Sequence, residues 1–475
     1  MPIDTTRPVT VVGAGPVGCV LATLLARRGF DVTVFEKRPD MRRADIAGGR
    51  SINLVLTDRG LRALQRVGLR ERVLELTVPV EGRMIHTGGD AQFQPYGKDD
   101  DCNFSVSRGM LNEFLLDVAE EAGATIHFDQ QLVDVDFDAQ RLRFAEGAAT
   151  EQTDFELLFG TDGAPSAVRT AMVEHAGVDE SVEFMEWGYK ELVFPAGEDG
   201  GWALEENALH IWPHGDHFLM GLANLDGSFT GTLYLPRTGD VSFESVDDTE
   251  SVRRFFEEYY ADAIPYLGEF IDEFLDHPTG MLGTVRSSPW HLDGRVLLVG
   301  DAAHGIVPFF GQGLNCGFED CVVLQDLLDE LEDLEEVFET FFEMRKPNTD
   351  AIADMALENA EEMGEKVADA EFLKQKKIEA LIERNLDDIY RSRYAMVMYT
   401  TIPYRVAYQI GEVQKEILAE LAAGVDEPGE VDLEEARALI ERRLAPEPQR
   451  TPRKTGRKPI GTAENAKDAK ENQEK

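Results

Sequence analysis

The chain has 475 residues, 43% of them hydrophobic and 29% charged, a globular composition with enough length for two or three domains around a large core. Its 47 Lys+Arg against 90 Asp+Glu leave a formal net charge of −43. A surface this acidic repels phosphate backbones and anionic lipid headgroups, so global binding to nucleic acid or a membrane surface is disfavoured, while a small anion in a local basic pocket is not.

In chain order, Val9–Ala26 is an uncharged, mostly apolar run that imitates a signal peptide or a membrane span, but Gly13, Gly15, Pro16 and Gly18 interrupt it. A strand, a turn and a helix explain it better: Thr10-Val-Val12, then Gly13-x-Gly15-x-x-Gly18, then a helical pattern through Leu25 that stops at Gly29. A second strand, Val32–Phe35, ends at Glu36 and completes a βαβ unit. Residues 57–76 and Leu111–Ala122 read as amphipathic helices, and Ile126–Phe128, Leu132–Phe137 and Leu157–Phe159 as strands, the last running into Gly160-Thr-Asp162-Gly163. From about 180 to 285, aromatic alternation predicts an antiparallel sheet, with an acidic helical stretch at 251–276. Arg295-Val-Leu-Leu-Val returns to the parallel-strand pattern and ends in Gly300-Asp301. Helices follow from Cys316 to about 344 and from about 348 to 422. The apolar stretch Tyr394–Ile410 contains Pro403 and Arg405 and makes a poor span, so no transmembrane segment is expected. Pro446–Lys475 carries eight Lys+Arg and five Asp+Glu with almost no large apolar groups, and is expected to be a disordered tail. The four cysteines, Cys19, Cys102, Cys316 and Cys321, include no CxxC pair, which points to a reducing compartment, the cytoplasm, and to no zinc site.

The glycines at 13, 15 and 18 let the backbone turn tightly and approach a pyrophosphate at the positive end of the following helix. Glu36, eighteen residues beyond Gly18, is placed to accept from ribose hydroxyls, and an acid there favours an adenosine without a 2′-phosphate, that of NAD or FAD. Two later segments favour FAD. Asp162 and Asp301 each end a strand, where a flavin's ribityl chain needs a hydrogen-bonding carboxylate. Gly311-Gln-Gly313-Leu314-Asn315 then opens a helix whose N–H groups would face the flavin's pyrimidine edge.

These three motifs in this order resemble the single-component FAD-dependent aromatic hydroxylases, with the p-hydroxybenzoate hydroxylase-like fold. Within that group Gly49-Arg-Ser-Ile-Asn-Leu54, Gly82-Arg-Met-Ile-His86, Gln94-Pro-Tyr-Gly97, Ser105-Val-Ser-Arg108, Pro308–Asn315 and Gly317-Phe-Glu-Asp320 resemble the kynurenine 3-monooxygenase family, from about residue 8 to about 420. The resemblance implies an α/β fold: a Rossmann-like FAD-binding domain of discontinuous segments (1–75, 100–178, 285–345), a substrate domain with an antiparallel sheet (76–99, 179–284), and a C-terminal helical layer (346–445). It implies NADPH- and O2-dependent hydroxylation of L-kynurenine to 3-hydroxykynurenine through a flavin C4a-hydroperoxide, with tightly bound FAD, transient NADPH and no catalytic acid or base from the protein. FAD contacts would fall on Glu36, Arg38, Val55, Arg108, Leu132, Asp301, Leu314 and Asn315, alongside the glycines and Asp162. The substrate's amino-acid end would fall on Arg83, Tyr96, Asn359 and Tyr394, with Phe229 and Phe310 walling the aniline ring. Arg83 and Tyr96 stand thirteen positions apart, one fewer than the family usually shows; some members carry a C-terminal membrane anchor, and the charged polar tail here leads to the expectation of a soluble enzyme.

Two other classes remain open: a flavin hydroxylase of another aromatic acid, salicylate- or anthranilate-like, and a flavin-binding protein without hydroxylase activity. The set Arg83, Tyr96, Asn359 and Tyr394 counts against the first, and the intact 300–315 block against the second.

Overall fold

A computed structural model describes residues 3–43, 53–97, 101–146, 149–364 and 369–444. The expected tail and most of the Gly49–Leu54 motif lie outside them.

The first strand, Pro8–Val12, buries four consecutive residues, as a strand covered on both faces must. It pairs in parallel with Asp31–Phe35 on one side and Leu157–Gly160 on the other; Thr125–His127 and Val296–Leu298 extend the sheet outward, and antiparallel His291–Leu292 closes it. Helices Pro16–Arg28, Arg108–Glu121 and Gly313–Glu330 pack against it with the largest core cluster. The single helix expected over 57–76 is two, Asp58–Arg66 and Arg70–Leu74, because Gly68 between them adopts φ +68°. Two three-stranded antiparallel sheets flank this body, one of them joining Leu54–Leu56, Asn103–Val106 and Thr77–Val80.

The expected antiparallel layer is a seven-stranded sheet. Its spine is Asp179–Phe194, paired with Phe229–Pro236 and Gly280–Ser288. It gains a hairpin from far upstream, Gly82–Thr87 with Asp90–Pro95, docked in parallel on Ala208–His214. The hairpin closes through Gly88 and Gly89, both at positive φ as a two-residue turn demands.

Side-chain alternation gives the seven-stranded sheet two different faces. Phe194, Trp212, Phe229, Leu233 and Leu235 pack under helices Thr249–Tyr259 and Phe270–Asp276. Phe218 and Tyr234 point the other way, toward Phe310 and the C-terminal helices. The long helix Leu334–Gly364 runs through Pro347 without ending, and Ala370–Asn385, Arg393–Met398, Tyr404–Ala423 and Leu433–Leu444 complete the helical layer, the last past the helical pattern expected to end near 422. Among the described residues no helix is long and apolar enough to cross a membrane.

Candidate active site

Four adjacent parallel strands end at one edge of the six-stranded sheet, and each delivers a motif residue there: Gly13, Glu36, Asp162 and Gly300-Asp301. This is where open α/β sheets bind nucleotides. The three glycines divide by role. A Cβ on Gly13 would stand 2.5 Å from the Thr161 carbonyl oxygen, and one on Gly18 would collide with the Gly13 carbonyl, so both are demanded by the protein's own packing. A Cβ on Gly15 would meet nothing within 4 Å, and as N-cap of Pro16–Arg28 it offers no side-chain cap to the helix's first N–H groups.

Glu36 is 5% exposed. Its carboxylate accepts from the Ala14 N–H at 2.9 Å and from Arg38, N–H at 3.0 Å and Nε at 2.8 Å. Burial opposes ionisation of Glu36, but the Arg38 hydrogen bonds and charge, with the Ala14 N–H, outweigh it and hold the carboxyl below its ordinary value. Arg38 itself remains half exposed.

The two strand-end aspartates, expected to be alike, differ. Asp162 accepts from Ser166 Oγ at 2.5 Å and from the N–H groups of Ala167 and Val168, at 2.7 and 3.3 Å. It therefore serves the N-terminus of helix Ala167–Ala176. Asp301 has no hydrogen-bond partner among the described residues, and burial raises its carboxyl above the ordinary value while His304 and Arg108 act against that rise. Its carboxylate lies beside Gly313, at the start of helix Gly313–Glu330. Arg108 opens its own helix exposed, with no hydrogen bond or ion pair among the described residues. A cradle of open N–H groups, a buried acid and two unpartnered charges, Asp301 and Arg108, fits an FAD.

Four other expected cofactor residues are buried or partly buried in the frame. Asn315 is fully buried: its Oδ1 accepts from Thr57 N–H at 3.0 Å and its Nδ2 donates to the carbonyls of Val55 at 2.8 Å and Gly311 at 2.9 Å. It thus ties the strand Leu54–Leu56 to the Gly311–Leu314 turn, with both amide hydrogens of its side chain engaged. Leu132 is 6% exposed in the main core, opposite Phe144. Val55 and Leu314 are partly buried.

Of the six expected substrate residues, three converge in one cluster. Arg83 donates from Nε to the Tyr96 hydroxyl at 3.2 Å, and its guanidinium carbon stands 5.5 Å from the ring centroids of both Tyr96 and Tyr394. The Tyr96 and Tyr394 rings stack at 5.8 Å, and Phe310 lies 5.8 Å from Tyr394, bringing in a fourth. Burial pushes the Tyr394 phenol up, so it is a protonated donor at neutral pH. Asn359, on the long helix, donates to the Phe309 carbonyl at 2.6 Å and so touches the same loop as Phe310. Phe229 is not among them. It is fully buried on the opposite face of the sheet with Phe194 and His210, because its odd position on its strand points away from Tyr234. This corrects its assignment to the aniline wall.

On the near face Phe309 and Trp187 are partly exposed and rest on the buried Phe218 and Tyr234, with the Phe309 ring centroid 5.8, 6.2 and 5.2 Å from those of Trp187, Phe218 and Tyr234. Their alternation was readable in the sequence; which face they line was not. A buried ionic network was also missed. Arg345 binds Glu319 and donates to Asp320 Oδ1 at 2.6 Å, while Asp320 Oδ2 accepts from Gly300 N–H at 3.0 Å and meets His304 Nε2 at 2.6 Å. His304, Cys316 and Asp320 form the one metal-capable trio among the described residues, but the Arg345 guanidinium occupies it, bonding Asp320 and, at 3.3 Å, Cys316 Sγ.

Residues 6–356 match the family model described as an FAD binding domain. The chain is 46% identical over 443 residues to the kynurenine 3-monooxygenase of Myxococcus xanthus, covering 92% of this chain and 96% of that protein. It is 42% identical over 444 residues to that of Xanthomonas campestris pv. campestris, covering 93% and 97%. Among solved structures, 2-methyl-3-hydroxypyridine-5-carboxylic acid oxygenase superposes with a TM-score of 0.60 at 21% identity, covering 75% of this chain and 91% of that one, a likeness of fold.

Proposed function

The chain belongs to the kynurenine 3-monooxygenase family of FAD-dependent monooxygenases, and from that premise we propose that it hydroxylates L-kynurenine at the ring carbon ortho to the amine, consuming NADPH and O2. The observation that carries the choice of substrate is the cationic fork of Arg83 set between two phenols and beside an aromatic wall: a seat for a carboxylate attached to an aromatic ring. Family membership disfavours the salicylate- or anthranilate-like alternative.

FAD, when bound, takes electrons from NADPH and activates O2 for insertion into the ring. Gly15 and the first N–H groups of Pro16–Arg28 would receive its pyrophosphate, Glu36 its ribose, and Asp301 and Arg108 the stretch toward the ring. Arg83 binds the substrate carboxylate through fixed parallel donors, which orients the molecule as well as holding it. Tyr394 and Tyr96 add neutral hydrogen bonds, and Asn359 supports the loop that bears Phe310. Trp187 and Phe309, backed by the buried Phe218, Tyr234 and Phe310, offer apolar surface to the aniline ring and exclude water, which protects a reactive oxygen donor from collapse to H2O2. Holding the ring close to that oxygen is itself a large part of the acceleration. No side chain is required as acid or base. Four free cysteines suit a reducing cytoplasm.

The test is NADPH consumption by the FAD-loaded protein, with and without L-kynurenine, and the mass of the product. Stimulation with a product heavier by one oxygen is expected. Absence of stimulation with FAD present would transfer the fold to another aromatic acid.

A further inference from the structure

Arg59 crosses from the flavin side of the molecule to the helices that carry Tyr394. It sits on Asp58–Arg66, is 2% exposed, and pairs with Glu319 on Gly313–Glu330. Its other terminal nitrogen donates to the main-chain carbonyls of Ile402 at 2.6 Å and Thr400 at 3.5 Å, and its guanidinium carbon lies 4.0 Å from the Tyr404 ring centroid. A buried charge is tolerated only when paired and hydrogen-bonded, so this arginine has one well-defined resting place. Tyr404 in turn donates from Oη to Gln312 Oε1 at 2.7 Å, and Gln312 Nε2 reaches Met398 Sδ at 3.2 Å. Met398 is one helical turn from Tyr394 on the same face, and Gln312 is the N-cap of the helix that begins at Gly313.

Glu319 is shared. Its second oxygen binds Arg345 on the long helix, the helix that also holds the Phe309 carbonyl through Asn359. The 308–312 loop is therefore gripped by both substrate-bearing elements, and a single carboxylate binds an arginine from each side of that grip.

We propose that Arg59 is a positioning residue for hydroxylation: acting through Tyr404 and Gln312, it transmits occupation of the Arg83–Tyr394 seat to the Gly311–Leu314 turn, and so makes flavin reduction depend on substrate. The inference rests on the functional reading above. A merely structural arginine would lower stability and FAD content but leave the dependence on substrate intact. The transmitting residue need touch neither ligand, provided it holds an element with two arrangements whose balance both sites bias.

The test uses the full FAD-loaded chain and three variants: Arg59→Met, which keeps length and loses charge; Arg59→Lys, which keeps charge and loses the fork; and Tyr404→Phe, which removes only the bond to Gln312. In wild type, L-kynurenine is expected to slow backbone hydrogen exchange in the peptide spanning 308–316 and to accelerate flavin reduction by NADPH. In Arg59→Met and Tyr404→Phe, that protection disappears and the acceleration falls at least tenfold, while protection around 82–96, substrate-free reduction and FAD absorbance stay as in wild type. Arg59→Lys falls between. Retained protection of 308–316 together with undiminished acceleration overturns the inference. Should Arg59→Met fail to fold, Tyr404→Phe decides in the same way. A wild-type protein indifferent to L-kynurenine would instead overturn the functional reading, and the inference with it.

Discussion

Arg83 meets Tyr96 at 3.2 Å because a two-glycine turn folds their strands into a hairpin that sets Gly82 opposite Pro95. The main chain continues the pairing one residue further, Tyr96 N–H to Glu81 carbonyl at 2.8 Å, and this aims the tyrosine ring back over the arginine. Arg83→Ala should raise KM for L-kynurenine by at least about tenfold, since a charge-assisted hydrogen bond is worth ~1.5–3 kcal/mol. Steady-state kinetics check it, and an unchanged KM would remove Arg83 from the seat.

Tyr394→Phe keeps the ring stacked against Tyr96 and Phe310 and removes only the phenol. Binding of L-kynurenine should weaken by roughly three- to tenfold, the worth of one neutral hydrogen bond. FAD content, read from absorbance, should not change. Loss of flavin would make Tyr394 a structural residue instead.

Gly13 and Gly15 should fail in different ways. Gly13 has φ +103° and its Cβ would press on Thr161, so Gly13→Ala should lower stability by roughly 1–3 kcal/mol or more whether or not FAD is present. Gly15→Ala meets no protein atom. It should melt within a few degrees of wild type as apoprotein yet bind FAD at least about tenfold more weakly. Thermal melts and flavin titration separate the two, and equal FAD affinity in Gly15→Ala would mean the cradle is not where the pyrophosphate lies.

Glu36 contributes stability that depends on pH with a definite sign. Its folded carboxyl is held below the ordinary value, so its contribution is complete above the unfolded glutamate range near ~4.3 and disappears as pH falls through the depressed folded value. Glu36→Gln should cost about 1.5–3 kcal/mol at neutral pH, and the gap to wild type should close in acid. Melting curves from pH 7 to pH 3 measure it; a constant gap would show that the bonds to Ala14 and Arg38 do not depend on the charge.

Much of this was legible in one dimension. Short β-branched runs punctuated by Gly13–Gly18 and Gly300-Asp301 can form little else but parallel strands that end at a nucleotide, because only buried strands tolerate such continuous apolarity and only glycine permits the turns. The Arg83 and Tyr96 pair was legible through family resemblance, and the hairpin connecting them is local enough to form from its own turn.

Tertiary structure decided what depended on direction and on partners remote in sequence. Asp162 and Asp301 carry the same signature, yet a following Ser166 draws one into a helix cap while the other has no hydrogen-bond partner among the described residues. Phe229 and Tyr234 share a strand, and the parity of their positions, set once that strand pairs with Asp179–Phe194, sends one under helices Thr249–Tyr259 and Phe270–Asp276 and the other to the face that carries Phe310. Arg59 reads as one more charge on an amphipathic helix. Only the approach of Glu319 and Ile402, some 260 and 340 positions away, turns it into a buried pin. Periodicity and glycine placement are local properties of a chain and survive in its sequence. The partner that satisfies a buried charge is chosen by packing, and exists only when the chain has closed on itself.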